Sequence, residues 1–419
     1  MEPELVQRQS LALVLKALEA FRVVIVNGPR QSGKSTLLEL LQTQVGGSRL
    51  TLDDRDVLRA ARTDPAGFVL DAQHPLMIDE VQRGGDPLIL AIKADVDRHG
   101  HQPGRYVLAG SSRFLTVPTL TESLAGRARI IELWPLSQAE REEVKPGFID
   151  ALFEATDTLR AVPVRVESRA RVLDRIAVGG FPAATTITDP RSRTDWFSDY
   201  LSTLLQRDLA QLRAPRRVVD LPRLLRLIGQ RTANELVVAP LASDLGLTAD
   251  TVKDYLGLFE AIYLHHTIPA WTPGGTGRVV HRPKLHIIDS GIACHLHGVG
   301  PEELARPGNT AIGSIFESFI AGEVQRQIPL SELRPTLHHY RDNSQREIDL
   351  ILETRDGRIA AIEVKAAVGV GDDDFRHLRW LRDQLGGRFI NGVVCHLGDK
   401  MLPAGDRLTS IPASALWSQ

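Results

Sequence analysis

The sequence predicts an α/β protein: an N-terminal parallel sheet covered by helices, a helical and winged-helix middle, and a second α/β region at the C-terminus. Three observations carry this. Short apolar runs alternate with helical stretches between Arg22 and Ala109, as strand–helix–strand units do. A helix, glycine turn, helix pattern followed by a strand candidate occupies Thr232 to Trp271, and mixed helix and strand signals return after it. At 419 residues the chain is long enough for two or three domains of roughly 150 residues. A content of 43% apolar, 24% charged and 5% aromatic residues is that of a globular protein and excludes a disordered tail protein.

Taken in order, residues 1–20 alternate charged and apolar residues at helical spacing, which predicts an amphipathic helix rather than a signal peptide. No run approaches the roughly 20 apolar residues of a membrane helix, so the expected location is cytoplasmic, without membrane contact. Fifty basic against 52 acidic side chains, a net charge of −2, mean that any nucleic-acid site must be local. Two cysteines, Cys294 and Cys395, provide neither a disulfide framework nor a paired thiolate site. Strands are expected at Arg22–Val26, Arg49–Leu52, Leu76–Ile78 and Arg105–Ala109, with a helix beginning at Lys34.

Between the first strand and that helix, Gly28-Pro29-Arg30-Gln31-Ser32-Gly33-Lys34-Ser35 has the spacing of a phosphate-binding loop, continued by Thr36. Glycines at both ends let backbone amides turn toward phosphates, and the helix N-terminus adds favourable partial charge. Lys34 is expected on the β and γ phosphates and Ser35 on Mg²⁺. Leu76-Met77-Ile78-Asp79-Glu80 supplies the matching strand end, Asp79 for the metal and Glu80 to activate water. Ser111 or Ser112 is placed to sense the γ-phosphate. Arg113, Arg127 and Arg129 are candidates to stabilise the transferring phosphoryl group. The sequence leaves open which arginine acts, and whether it acts within its own subunit or across a homo-oligomer; Arg127 is the one carried among the nucleotide contacts.

These motifs, with GSSRFL at 110–115, SLAGR at 123–127, LWPLS at 133–137, GGFP at 179–182 and YLSTLLQRDL at 200–209, together resemble a large bacterial and archaeal family of AAA-type ATPases. Those proteins join an N-terminal ATPase to a C-terminal domain of unassigned function, so the resemblance implies an ATPase using ATP and Mg²⁺.

In the middle, Leu241 to Leu256 predicts a helix-turn-helix about Gly246, its second helix capped by Thr248, with Ile262–Ile268 as the first limb of a wing. Thr248, Thr251 and Lys253 form a weakly basic face that Asp250 and Asp254 oppose. DNA reading and protein packing both fit. Arg213, Arg216, Arg217, Arg223, Arg226 and Arg231 form a stronger basic run, suited to phosphate contact or to a solvated, ion-paired face. PAWTPGGTG at 269–277 is the best linker or hairpin tip. Asp289-Ser290-Gly291, which follows Arg282-Pro283-Lys284 and the apolar run Leu285–Ile288, resembles another family signature of unassigned role and is expected as a tight strand-end turn.

Toward the C-terminus, a helix around Phe316–Gln327 precedes strands at Glu347–Glu353 and Ile359–Lys365. Asp349 lies within an apolar strand, and Glu363 and Lys365, two apart, share a face. Buried acids need a partner or a metal. The D…ExK arrangement resembles the PD-(D/E)xK nuclease superfamily, or restriction-endonuclease-like fold. That resemblance implies Asp349 and Glu363 as ligands of Mg²⁺ or Mn²⁺, Lys365 as the group supporting the attacking hydroxide, and Glu317 as a further metal ligand on the helix. Ile348 stands where the motif's proline would be. His265-His266, His338-His339 and Cys294-His295-Leu296-His297 lack the paired spacing of a zinc site.

The expected domains are therefore 1–140 (ATPase), 141–230 (helical lid or linker), 231–300 (winged helix) and 301–419 (nuclease-like). The expected function is Mg²⁺-dependent ATP hydrolysis coupled to DNA binding and metal-dependent phosphodiester cleavage. The alternative is a nucleotide-switched regulator or scaffold that binds a protein partner and whose nuclease-like fold is inactive.

Overall fold

A computed structural model describes residues 6–111, 124–208, 220–272 and 282–418. Ser112, Arg113, Ser123, Leu209, Arg213, Arg216, Arg217 and residues 273–277 of the expected linker lie outside the described residues. The chain forms two compact units, one of residues 7–136 with 260–263, the other of residues 137–259 and 264–419 with the first six residues.

In the first unit, β1 (Val23–Asn27), β2 (Ser48–Thr51), β3 (Leu76–Asp79), β4 (Tyr106–Gly110) and β5 (Ala128–Glu132) form a sheet in the order β2-β3-β4-β1-β5. Every pairing is parallel. Each central strand is buried on both faces, and the pleat sends alternate residues to opposite layers. Val23, Ile25, Ile78 and Leu108 pack with Leu88, Ile89, Ile92 and Val96 of the helix Gly85–Arg98. On the other face Val24, Val26, Met77 and Val107 meet Leu11 and Val14 of helix Ser10–Leu18 and Leu37, Leu38 and Leu41 of helix Lys34–Val45. Each such leucine stabilises the layer by about 1.5–3 kcal/mol. The four expected strands are present, and β5 is an addition. At this sheet edge Arg129 and Ile130 are exposed, so β5 has no buried apolar run to mark it.

The second unit begins with helices. Arg175, on helix Arg169–Val178, is buried and donates to Glu167 at 2.6 and 2.8 Å and to Gln138 at 3.0 Å. Its guanidinium also lies 5.7 Å from the Trp417 ring, so this arginine joins the helical region to the C-terminus. The winged-helix topology follows. Helices Leu221–Gln230, Val238–Leu245 and Ala249–Ala261 precede a three-stranded sheet of β6 (Asn234–Glu235), β7 (His265–Ile268) and β8 (Lys284–Ile287), ordered β6-β8-β7. Gly246, at φ +65°, caps the turn between the last two helices, a left-handed position that glycine takes without steric cost. The Thr248 hydroxyl accepts from the Thr251 amide at 3.2 Å.

Six further strands form the C-terminal sheet: β9 (Thr336–Arg341), β10 (Glu347–Glu353), β11 (Ile359–Lys365), β12 (Phe389–His396), β13 (Leu402–Pro403) and β14 (Leu408–Pro412), ordered β13-β14-β12-β11-β10-β9. Helix Ala311–Gln327 packs against β11 and helix Arg376–Leu385 against β12. The register of β10 against β9 shifts between Ile348 and Ile351, at Asp349. Beyond β7 the chain runs on beside β9, with the Trp271 amide donating to His339 O at 2.6 Å and the His339 amide to Pro269 O at 3.0 Å. This splice ties the wing sheet to the larger one.

The Asp289-Ser290-Gly291 turn and the GGFP segment are two halves of one lock. Asp289 is the N-cap of helix Ser290–His297, with Oδ1 accepting from the Gly291 and Ile292 amides at 2.9 and 3.2 Å. Its Oδ2 accepts from the Gly180 amide at 2.7 Å. Gly179 has φ +72°, and a Cβ there would lie 2.2 Å from Asp289 Oδ1, so this close approach requires glycine.

Candidate nucleotide site and a carboxylate cluster

In the first unit, β1 ends at the phosphate loop and β3 at Asp79 and Glu80, while β4 lies between them and ends in Gly110 and Ser111. Strand order alone therefore brings three sequence-distant segments to one carboxyl edge, where open α/β sheets bind ligands. Gly28 is closely packed, since a Cβ would lie 2.1 Å from Leu133 O. Gln31 and Gly33 adopt φ +59° and +93°, which winds the Pro29–Ser32 backbone into a cradle before Lys34 opens the helix. Lys34 is 5% exposed and donates to Gly28 O and Pro29 O at 3.0 and 2.7 Å. The ammonium is thus held over the loop that would carry the phosphates.

The Ser35 hydroxyl donates to Asp79 Oδ2 at 2.5 Å. Side by side, these two oxygens suit the ligand set of an octahedral Mg²⁺ that keeps several waters. Glu80 has φ +52°, and its Oε2 accepts from Ser111 Oγ at 3.1 Å and from Gln82 Nε2. Gln82 also donates to Ser111 Oγ at 3.3 Å, so the expected water-activating acid and the expected sensor form one hydrogen-bonded group. Thr36 and Arg30 lie on the same loop and helix start.

Arg127 is a correction to the expected nucleotide contacts. It precedes β5 and its carbonyl accepts from the Val23 amide at the start of β1, so it sits at the sheet edge opposite the loop. There it forms a bidentate ion pair with Asp97 at 2.6 and 3.1 Å. Asp97 is correspondingly held below the usual aspartate range, first by its Arg127 hydrogen bond. A residue that the sequence reading missed takes the more relevant place. Arg8, buried, donates to Ser32 O and, at 2.7 Å, to Trp134 O. It fastens the loop to the segment after β5. Its only signal in the sequence is an isolated arginine before the first helix.

In the second unit, Asp349, Glu363, Lys365 and Glu317 do converge. Lys365 Nζ donates to Glu363 Oε1 at 2.7 Å, and the Val364 amide donates to Asp349 Oδ2 at 2.9 Å. Glu363 Oε2 is buried without a partner. The centre of the group is occupied by Lys284 of β8, whose Nζ lies 2.7 Å from Glu317 Oε1, 2.7 Å from Glu347 Oε1 and 3.1 Å from Asp349 Oδ1. Burial disfavours a charged lysine, yet the charges of Asp349, Glu317 and Glu347 hold Lys284 well above the usual lysine value. Burial and the Asp349 charge push Glu363 up to about 8, and the same two causes raise Glu317 well above its ordinary value. Four carboxyl groups thus meet Lys284, Lys365 and the more distant Arg341, 3.7 Å from Glu347. Among the described residues no group of three or more histidine, cysteine, aspartate or glutamate side chains is arranged to hold a metal ion. With an ammonium at its centre, the cluster does not fit the divalent ion that the nuclease resemblance implies.

On the winged helix, Lys253 pairs with Asp250 at 3.1 Å and Arg231 with Asp244 at 2.8 Å. Arg223 donates to Asp244 O at 2.6 Å. Of the described members of the basic run, Arg231 is thus ion-paired with Asp244 and Arg223 is bound to that residue's backbone carbonyl.

Comparison with known families matches three segments of the chain. Residues 20–142 match the model of an AAA domain, residues 169–303 a domain of unknown function (DUF8612), and residues 312–416 another (DUF4143). The first match supports an AAA-type ATPase domain. An uncharacterized protein of Mycobacterium tuberculosis is 27% identical over 414 residues, covering 98% of this chain and 84% of its own. Similar solved structures include a Walker-type ATPase of Pyrococcus abyssi, at 15% identity and TM-score 0.45 over 71% of this chain and 97% of that one. The RuvB Holliday junction branch migration motor of Thermotoga maritima follows at 17% identity and TM-score 0.32, over 67% and 92%. Among the described residues no helix is long and apolar enough to cross a membrane.

Proposed function

We propose that the chain is a Mg²⁺-dependent ATPase whose nucleotide state governs what its second unit binds. The observation that carries this reading is the Ser35–Asp79 contact beside Lys34, with Glu80 held by Ser111 and Gln82. In this reading the loop amides and Lys34 bind the phosphates, and Ser35 and Asp79 hold the metal. Glu80 orients and deprotonates the attacking water in line with the γ-phosphate. The metal, when bound, neutralises charge that develops on the β and γ oxygens. Phosphate release by the wild type, its loss in Lys34→Ala, and retained ATP binding without turnover in Glu80→Gln test the assignment. Full turnover in Lys34→Ala would refute it.

The partner of the second unit is the finer question. DNA binding with phosphodiester cleavage is supported by the placement of Asp349, Glu363 and Lys365 on neighbouring strands β10 and β11. Lys284 inside the cluster and the ion-paired Arg231 and Lys253 favour the other reading, a nucleotide-switched regulator that binds a protein partner. Two assays separate them. DNA affinity falls steeply with salt, and cleavage with Mg²⁺ or Mn²⁺ must vanish in Asp349→Ala. A homo-oligomer in the ATP-bound state, measured by sedimentation, is the condition for an arginine that acts from a neighbouring subunit.

A further inference from the structure

The carboxylate cluster holds a cation already, and that cation belongs to the chain. Lys284 is 1% exposed. Its three ammonium protons face three carboxylate oxygens, Glu317 Oε1, Glu347 Oε1 and Asp349 Oδ1, at 2.7, 2.7 and 3.1 Å, which fully uses its donor capacity. The acids come from helix Ala311–Gln327 and from β10, and the lysine from β8 of the wing sheet. The backbone delivers it there. Lys284 pairs with Ile268 in the β7–β8 ladder, and the continuation of β7 is spliced onto β9 through Ala270 and His339. The remaining acid, Glu363, is held on one oxygen by Lys365 while its buried Oε2 has no partner.

We propose that Lys284 is the resident counter-ion of this cluster, and that Lys284 and a divalent cation are mutually exclusive occupants of it. Mg²⁺ or Mn²⁺ needs several oxygens at about 2.0–2.2 Å, from the same carboxylates that Lys284 engages. Two cations cannot share so small a buried volume without strong repulsion. The cluster thus acts as an electrostatic latch between the wing sheet and the six-stranded sheet, and only removal of Lys284 turns it into a metal site. This inference is independent of the ATPase reading, since it concerns the second unit alone.

The test is Mn²⁺ titration of the full chain without nucleotide, followed by electron paramagnetic resonance of free Mn²⁺. Asp349→Asn should leave the wild-type stoichiometry unchanged. Lys284→Met should bind one additional Mn²⁺ per chain at least tenfold more tightly than any wild-type site that depends on Asp349, and Lys284→Met with Asp349→Asn should lose it. Lys284→Arg should stay closed. An Asp349-dependent Mn²⁺ in the wild type would overturn the proposal, as would a folded Lys284→Met that gains none. If Lys284→Met lacks a folded state without metal, millimolar Mn²⁺ must restore its circular dichroism and melting transition. Failure to restore them counts against the proposal.

Discussion

Asp289→Ala gives the sharpest test of how the second unit is held together. The substitution removes the acceptor of three amide hydrogen bonds, from Gly180, Gly291 and Ile292 at 2.7, 2.9 and 3.2 Å, in a site where Asp289 is 2% exposed. Two of these form the helix cap, worth about 0.5–2 kcal/mol. The Gly180 amide, left buried and unsatisfied, costs about 1–3 kcal/mol. The expected loss is therefore about 1.5–5 kcal/mol, a large share of a typical domain's stability of roughly 5–15 kcal/mol. Asp289→Asn should cost less, because its carbonyl oxygen can still cap the helix while its amide confronts the Gly180 N–H. Burial raises the Asp289 carboxyl above its ordinary value. A raised folded value means that ionising Asp289 costs stability on top of its hydrogen bonds: this pH-dependent part is fully present below the unfolded value near 3.8 and is lost as pH rises through the folded one; Asp289→Asn should flatten that slope. Gly179→Ala approaches the same lock from the other side. It should destabilise by about 1–2 kcal/mol from its positive φ alone, with a further clash against Oδ1 that disappears in Asp289→Ala. The pair should therefore be less than additive. Urea unfolding followed by tryptophan fluorescence reads this, because Trp196 packs 5.8 Å from the Phe181 ring beside the lock. A loss under 1 kcal/mol in Asp289→Ala, or strict additivity with Gly179→Ala, would refute the reasoning.

Other expectations follow from the first unit. Glu80→Gln should lower turnover by about 10²-fold or more while leaving ATP affinity within a few-fold, measured by phosphate release and by binding of a fluorescent nucleotide. Arg8→Met should weaken nucleotide binding and lower the stability of the unit by about 1–3 kcal/mol, since the loop loses its tie to Trp134; an unchanged dissociation constant would remove Arg8 from the site. Burial works against ionisation of Asp95, but hydrogen bonds from Tyr106 and Arg105 outweigh it and hold the carboxyl below 3.8. The stability it contributes is present above that value and is lost as pH falls through the folded one, so acid unfolding of the unit should lose steepness in Asp95→Asn, followed by circular dichroism.

How much of this was legible in the sequence depends on whether a residue's role is local. The phosphate loop, strands β1 to β4 and the cap at Thr248 depend on neighbours within a few residues, and their patterns were readable. Strand β10 and strand β11 also fall where alternation and the turn at Asp356-Gly357 place them. Strand β5, with exposed Arg129 and Ile130, offers no apolar run, and β9, β12 and β14 were not anticipated. Roles decided by tertiary approach were harder to read. Arg127 stood close in sequence to the sensor segment, but its position at the start of β5 gives it to Asp97. Arg8 carries no motif, and Lys284 stands in a segment whose pattern assigns it no chemistry, yet one closes the phosphate loop and the other neutralises three acids.

Lys284 changes how the C-terminal motif should be read. A D…ExK pattern states that two acids and a lysine share one strand pair, and here Asp349 lies on β10 with Glu363 and Lys365 on the neighbouring β11. The pattern cannot state which cation balances them, because that depends on a strand more than sixty residues upstream in the sequence. A buried carboxylate cluster must be neutralised by protons, metal or side chains. Here β8 delivers an ammonium to its centre, so the same acids that would draw a metal instead fasten two sheets together. Chemistry at this site is therefore a question about Lys284 before it is one about the acids.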